Sequence, residues 1–151
     1  LASEGAVRTY EASLDRAGLA LGAGGLVGGV FAAALVSVGS GLAPLELLVG
    51  FVIGVLITTM AAVAIGGPVG LLCHAIGWRG PGVAVAVGGL AGFALFLGGQ
   101  TYGFGLFDMP VSDTQTLLFR WMSAVATSLI LALVAALIGW TMWRVAYRRV
   151  R

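Results

Sequence analysis

The sequence predicts an all-α integral membrane protein: four transmembrane helices in an antiparallel up-down bundle, with a short N-terminal amphipathic helix and both termini cytoplasmic. Three observations predict this fold. Of the 151 residues, 60% are apolar and 9% are charged, and the mean hydropathy is +1.06. A soluble domain carries about 25% charged residues, so eight Arg, three Asp and three Glu could not cover its surface. Next, four long apolar runs each reach the roughly 20 residues that a helix needs to cross the hydrocarbon core. Finally, Arg is placed at alternate connections, as orientation in a membrane requires.

The first sixteen residues differ in character from the rest. Val7, Tyr10, Leu14 and Ala17 share a helical face, and Glu4, Arg8 and Glu11 sit at i,i+4 and i,i+3 spacing. That spacing predicts an amphipathic helix over Ser3–Arg16 on the cytoplasmic surface, or an extension of span one. The chain begins with Leu rather than Met, leaving room for residues upstream.

Span one is read over residues 17–42, all uncharged. It is too long for the apolar region of a cleaved signal peptide, about 7–15 residues. Gly18, Gly22, Gly25, Gly29 and Ala32 recur at steps of three and four, and Gly24 and Gly28 form a second small face beside them. Lipid tails are as apolar as Leu, so helices in a bilayer pair through close backbone approach at small residues. The stripe therefore predicts helix packing, inside one bundle or against another subunit.

Span two is read over 47–78, after a connection holding Gly41, Pro44 and Glu46. Gly50, Gly54, Thr58 and Ala61 form its small face. Pro68, preceded by Gly66 and Gly67, has no N–H, and its ring clashes with the Ala64 carbonyl, which predicts a kink or a full break. Transporters use such breaks to build ion sites. Thr58, Thr59, Gly66, Gly67, Pro68 and His74 are thus the candidate residues of a solute path, set against a simple proline kink and backbone-bonded hydroxyls.

Arg79 lies in the short link to span three, read over 82–107, where Gly88 and Gly92 form the small face. Gly98-Gly99-Gln100 is a rough counterpart of the Gly66–Pro68 break, without its proline. The loop to span four carries Asp108, Pro110 and Asp113, with a capping-box spacing at Ser112 and Gln115. Span four is read over 114–143 within a helix of Asp113–Tyr147, with Ala124, Ser128, Ala132, Ala135 and Gly139 on one side.

Arg8, Arg16, Arg79 and the basic tail 144–151 fall on one side of a four-span chain, while Glu46, Asp108 and Asp113 fall on the other. This places both termini in the cytoplasm. The basic tail would also attract anionic lipid. Arg120 breaks the pattern, one turn into span four, where it would snorkel or pair with Asp113 or Asp108. Trp78, Trp140, Trp143 and Tyr147 belong at the inner interface, and Tyr102, Phe104, Phe107 and Trp121 at the outer one.

Several function classes are excluded or disfavoured. A net charge of +2 is too small for a nucleic-acid binder. His74 is the only His and Cys73 the only Cys, so one chain holds neither a bis-His haem site nor a disulfide. Asp108 and Asp113 could form an acid–base pair, but no nucleophile or phosphate-cradling loop accompanies them. The expectation is a non-catalytic inner-membrane subunit without cofactor or metal. Its partners would be lipid and other membrane subunits, or copies of itself. The alternative is a homo-oligomeric channel or carrier for a small solute.

Overall fold

The computed structural model describes residues 10–11, 14–40, 43–103 and 113–149. Among them, four helical segments are long and apolar enough to span a membrane: Asp15–Gly39, Pro44–Ala75, Pro81–Gly103 and Thr114–Ala146. The chain divides into two compact units, residues 1–81 with 141–151, and residues 82–140.

In the first unit, α1 (Leu14–Ser40) and α2 (Pro44–Ala61) form an antiparallel hairpin. Pro44 opens α2, where its missing N–H leaves no extra orphan donor. Ala43 is extended, and its carbonyl accepts from Leu47 N at 3.1 Å. α2 does not break at the double glycine. It passes through a π-helical turn, Ala62–Gly66, into α3 (Gly67–Ala75). Gly66 and Gly67 are both right-handed helical, and Gly67 N–H donates to Ala62 O, five residues back.

A Schellman motif then ends α3. Gly77 N bonds His74 O at 3.1 Å, Trp78 N bonds Cys73 O at 2.8 Å, and Gly77 takes φ +86°. That left-handed conformation is cheap only for glycine. Span two therefore stops short of Trp78, where the apolar run alone placed its end.

In the second unit, α4 (Pro81–Gly98) continues into a second π-helical turn, Gly99–Gly103, and packs antiparallel on residues 114–140 of α5 (Thr114–Ala146), whose last six residues belong to the first unit. At 33 residues α5 is roughly 50 Å long at 1.5 Å per residue, more than a bilayer's full thickness. Its cap is Asp113, whose Oδ1 accepts from Thr116 N at 3.0 Å. A carboxylate thus holds the N3 amide of the helix that starts at Thr114. Ser112 itself lies outside the described residues, as do Asp108, Pro110, Phe104 and Phe107.

The N-terminal helix expected over Ser3–Arg16 is corrected at Tyr10 and Glu11, while Leu14–Arg16 are helical as the start of α1. Tyr10–Glu11 is extended and pairs antiparallel with Arg148–Arg149, in register Tyr10 to Arg149 and Glu11 to Arg148. A lone amphipathic segment of about 14 residues is marginal as a helix, and here a backbone ladder satisfies part of it instead. Residues 1–9 and 12–13 lie outside the described set.

Large apolar side chains face outward along every span, among them Leu26, Leu56, Leu90 and Leu133. The buried positions among the described residues are all small: Ala20, Gly24, Gly25, Gly28, Gly29, Gly54, Gly92, Thr101, Ala124, Ser128 and Ala132. A water-soluble domain sorts its residues the other way. Small inside and large outside suits a solvent of acyl chains.

Candidate functional site

Two glycine seams hold the hairpins together. In the first, Gly28 faces Thr58 so closely that an added Cβ would overlap the threonine Oγ1, Cβ and Cγ2. A Cβ on Gly25 would stand 2.5 Å from Thr59 Oγ1, and one on Gly29 2.9 Å from Phe51 O. From the opposite helix, a Cβ on Gly54 would overlap Ala32 and stand 2.9 Å from Gly28 O, while Gly50 faces Val36. Backbones this close exclude any side chain at the crossing. Thr58 and Thr59 are thus knobs seated in glycine holes of α1.

Gly18 and Gly22 continue the same line toward the start of α1, but a Cβ there would meet no neighbouring element within 4 Å among the described residues. Gly66, Gly67 and Gly70 are equally open, and Pro68 is exposed. In the antiparallel register the α1 positions before Gly25 run toward the π turn and α3. Both helices therefore present unfilled glycines at that end of the hairpin. Only the inner part of the span-one stripe meets α2, and the face that does includes Gly28 as well as Gly25 and Gly29.

The second seam joins α4 and α5. Cβ atoms on Gly88 and Gly139 would each stand 2.6 Å from a carbonyl of the other helix, at Ala135 and Ala84. A Cβ on Gly92 would stand 2.5 Å from Ala135 Cβ. At the π turn this seam becomes polar. Gln100 Nε2 donates to Ser128 Oγ at 3.2 Å, and Thr127 Oγ1 lies 3.0 Å from Gln100 Oε1. The Thr127 hydroxyl hydrogen is shared with Ser123 O at 2.8 Å and Ala124 O at 3.1 Å. Thr101 Oγ1 bonds back to Leu97 O at 2.8 Å. Ser128 and Thr101 are buried.

This knot was not legible as one unit. Gln100 read as part of the irregular Gly98-Gly99-Gln100 segment, and Ser128 as one member of a small stripe. The available signal was a Gln inside an apolar run, which needs a partner across the hairpin. The antiparallel register supplies Thr127 and Ser128.

His74 meets the end of α5. Its Nδ1 lies 3.2 Å from Tyr147 Oη, and the rings stack with centroids 6.3 Å apart. Trp143 stacks on Tyr147 at 6.1 Å and donates from Nε1 to Arg79 O at 2.9 Å. His74 and the threonine pair thus occupy separate places. Arg120 makes no ion pair with Asp113 among the described residues, and its Nη1 is buried without a hydrogen-bond partner there. Asp113 is exposed, and the hydrogen bonds from Thr116 hold its carboxyl below the usual carboxylate range. No group of three or more His, Cys, Asp or Glu able to hold a metal occurs among the described residues.

Comparison with family models, with curated proteins and with solved structures finds no match for this chain. The functional reading therefore rests on the geometry alone.

Proposed function

We propose that the chain is a small, non-catalytic subunit of the plasma (inner) membrane. In this reading its four spans form an up-down bundle that packs, through open glycine faces, with other membrane subunits or with itself. The observation that carries it is the division of the glycines. Gly25, Gly28, Gly29, Gly54, Gly88 and Gly92 are filled by the chain's own helices, whereas Gly18 and Gly22 meet no neighbouring element within 4 Å among the described residues. A glycine face turned to lipid offers the tails no side chain to pack, while a second helix can approach it closely.

Both termini face the cytoplasm in this proposal. The pairing of Tyr10–Glu11 with Arg148–Arg149 supports a shared side for the two ends, and the Arg distribution supports the inner side. Cysteines placed at Arg149 and Ser112 test it with an impermeant thiol reagent on intact cells. Only residue 112 should be labelled, and labelling of 149 alone would reverse the topology.

The polar side chains at membrane depth support structural work over a solute path. Thr58 and Thr59 seat against Gly28 and Gly25, and Gln100, Thr127 and Ser128 bond one another. Purification from native membranes in a mild detergent separates the readings. Foreign subunits retained at fixed stoichiometry support the accessory role. A homo-oligomer that conducts or exchanges a solute in liposomes supports the channel or carrier reading instead.

A further inference from the structure

One end of the first unit gathers the basic and aromatic residues that the packing seams leave unused. The Schellman turn at Gly77 redirects the chain so that Trp78 is exposed and Arg79 half-buried. Trp143, in the last turn of α5, ties down that turn by donating its indole N–H to Arg79 O at 2.9 Å. Tyr147 and His74 extend the same stack. The extended pairing then brings Arg148–Arg149 alongside Tyr10–Glu11 near the start of α1. Arg16, Arg79, Arg144, Arg148 and Arg149 belong to this unit, against Glu11, Asp15 and Glu46 among its described residues.

Arg79 is the residue that makes this more than a charged surface. Its Nε is buried and has no hydrogen-bond partner among the described residues. A guanidinium cannot shed its proton, so burial leaves its charge standing. With Nε shielded and the residue half-buried, the remaining N–H donors of the fork are the ones left to meet an anion. The geometry points to an anion held there, and we infer that Arg79 is the centre of a binding site for the phosphodiester headgroup of an anionic phospholipid.

Three features select that ligand. Arg pairs with phosphate in a planar, bidentate fashion. Trp and Tyr rings settle at headgroup depth, which puts lipid phosphates at the level of this turn. Each nearby Arg adds attraction for an anionic surface and none for a zwitterionic one. The inference rests on the membrane reading of the chain, and Trp143 acts in it as a positioning residue that holds the Arg79 turn in place.

Native mass spectrometry of the detergent-purified full chain tests it, titrated with phosphatidylglycerol, phosphatidylcholine or inorganic phosphate. Wild type should retain phosphatidylglycerol in preference to phosphatidylcholine. Arg79→Gln should weaken that binding about tenfold, while Arg120→Gln, outside the cluster, should leave it unchanged. Trp143→Phe keeps the ring but removes the N–H, and should weaken binding several-fold without altering helix content. Equal binding of the two lipids would overturn the site, as would undiminished phosphatidylglycerol binding by Arg79→Gln. Displacement of the lipid by millimolar inorganic phosphate would overturn the lipid assignment. Release of the protein from membranes by alkaline carbonate without detergent would instead break the membrane reading itself, so the two failures are distinguishable.

Discussion

The two π-helical turns look alike along the chain yet arise for different reasons. Ala62–Gly66 precedes Gly67-Pro68, and Gly99–Gly103 follows Gly98. In the first, the backbone is the cause. Pro68 cannot donate to Ala64 O and its ring crowds that carbonyl, so the helix widens by one residue and continues. The side chains around it are apolar, and its glycines meet no neighbouring element within 4 Å among the described residues. In the second there is no proline. The turn carries Gln100, bonded to Ser128 with Thr127 beside it, and Thr101, bonded back to Leu97 O. A helix irregularity is thus a proline's by-product in one hairpin and the setting of a polar clamp in the other.

The seams differ in the same sense. α1 and α2 meet through glycine holes filled by threonine and valine, a contact of shape. α4 and α5 combine a glycine seam with side-chain hydrogen bonds. The strongest way to break the first is Gly28→Leu, because its Cβ alone already overlaps Thr58. We expect the α1–α2 hairpin to lose about 3 kcal/mol, read as a shift in the SDS unfolding midpoint. Gly18→Leu, on the same helix with open space at its Cβ, should leave that midpoint unchanged.

Gln100→Leu probes the polar seam. It strips the partner from buried Ser128 and should cost about 1–2 kcal/mol. A double-mutant cycle of Gln100→Leu with Ser128→Ala should return a coupling of roughly 0.6–1.7 kcal/mol. A coupling of zero would mean that the knot is incidental to packing.

Pro68→Ala should be milder. The site is exposed, so the change should stay within about 0.5 kcal/mol. If proline causes the first π turn, the variant should regain regular helical hydrogen bonds there, seen as slower amide exchange over residues 62–67. The second turn should not respond. Slower exchange at 99–103 in Gln100→Leu, with none in Pro68→Ala, would sharpen the contrast of causes.

The smallest effect belongs to Asp113. Hydrogen bonds from Thr116 lower its pKa. Its capping contribution is therefore present above the ordinary carboxylate pKa and lost as pH falls through the lowered one. The first turn of α5 should fray only in acid, and Asp113→Asn should remove that pH dependence in amide exchange at Thr116.

Much of the helical layout was legible because it depends on hydrophobic length. Residues 47–78 and 114–143 come close to Pro44–Ala75 and Thr114–Ala146. Pro68 and Gly98-Gly99-Gln100 were legible as irregular places, since a missing donor and paired glycines are local properties. What they became was not legible, because a π turn and a break satisfy the same local chemistry. The choice of Gly28 over Gly22 as a seam position depends on where the two helices meet in space, which no local pattern encodes. The strand-like pairing of Tyr10–Glu11 was missed for a similar reason, since its partner is the far end of the chain.

Glycines filled within each hairpin build the fold, while open ones are proposed to receive a partner. The mass of the chain in native-membrane nanodiscs, for wild type and Gly22→Leu, decides between a shared and a lipid-facing glycine face. Wild type should elute as a larger assembly, with foreign subunits or further copies. Gly22→Leu should elute as a single chain with unchanged helix content. A wild-type assembly that Gly22→Leu leaves intact, or a wild type that is already a single chain, would contradict the shared face.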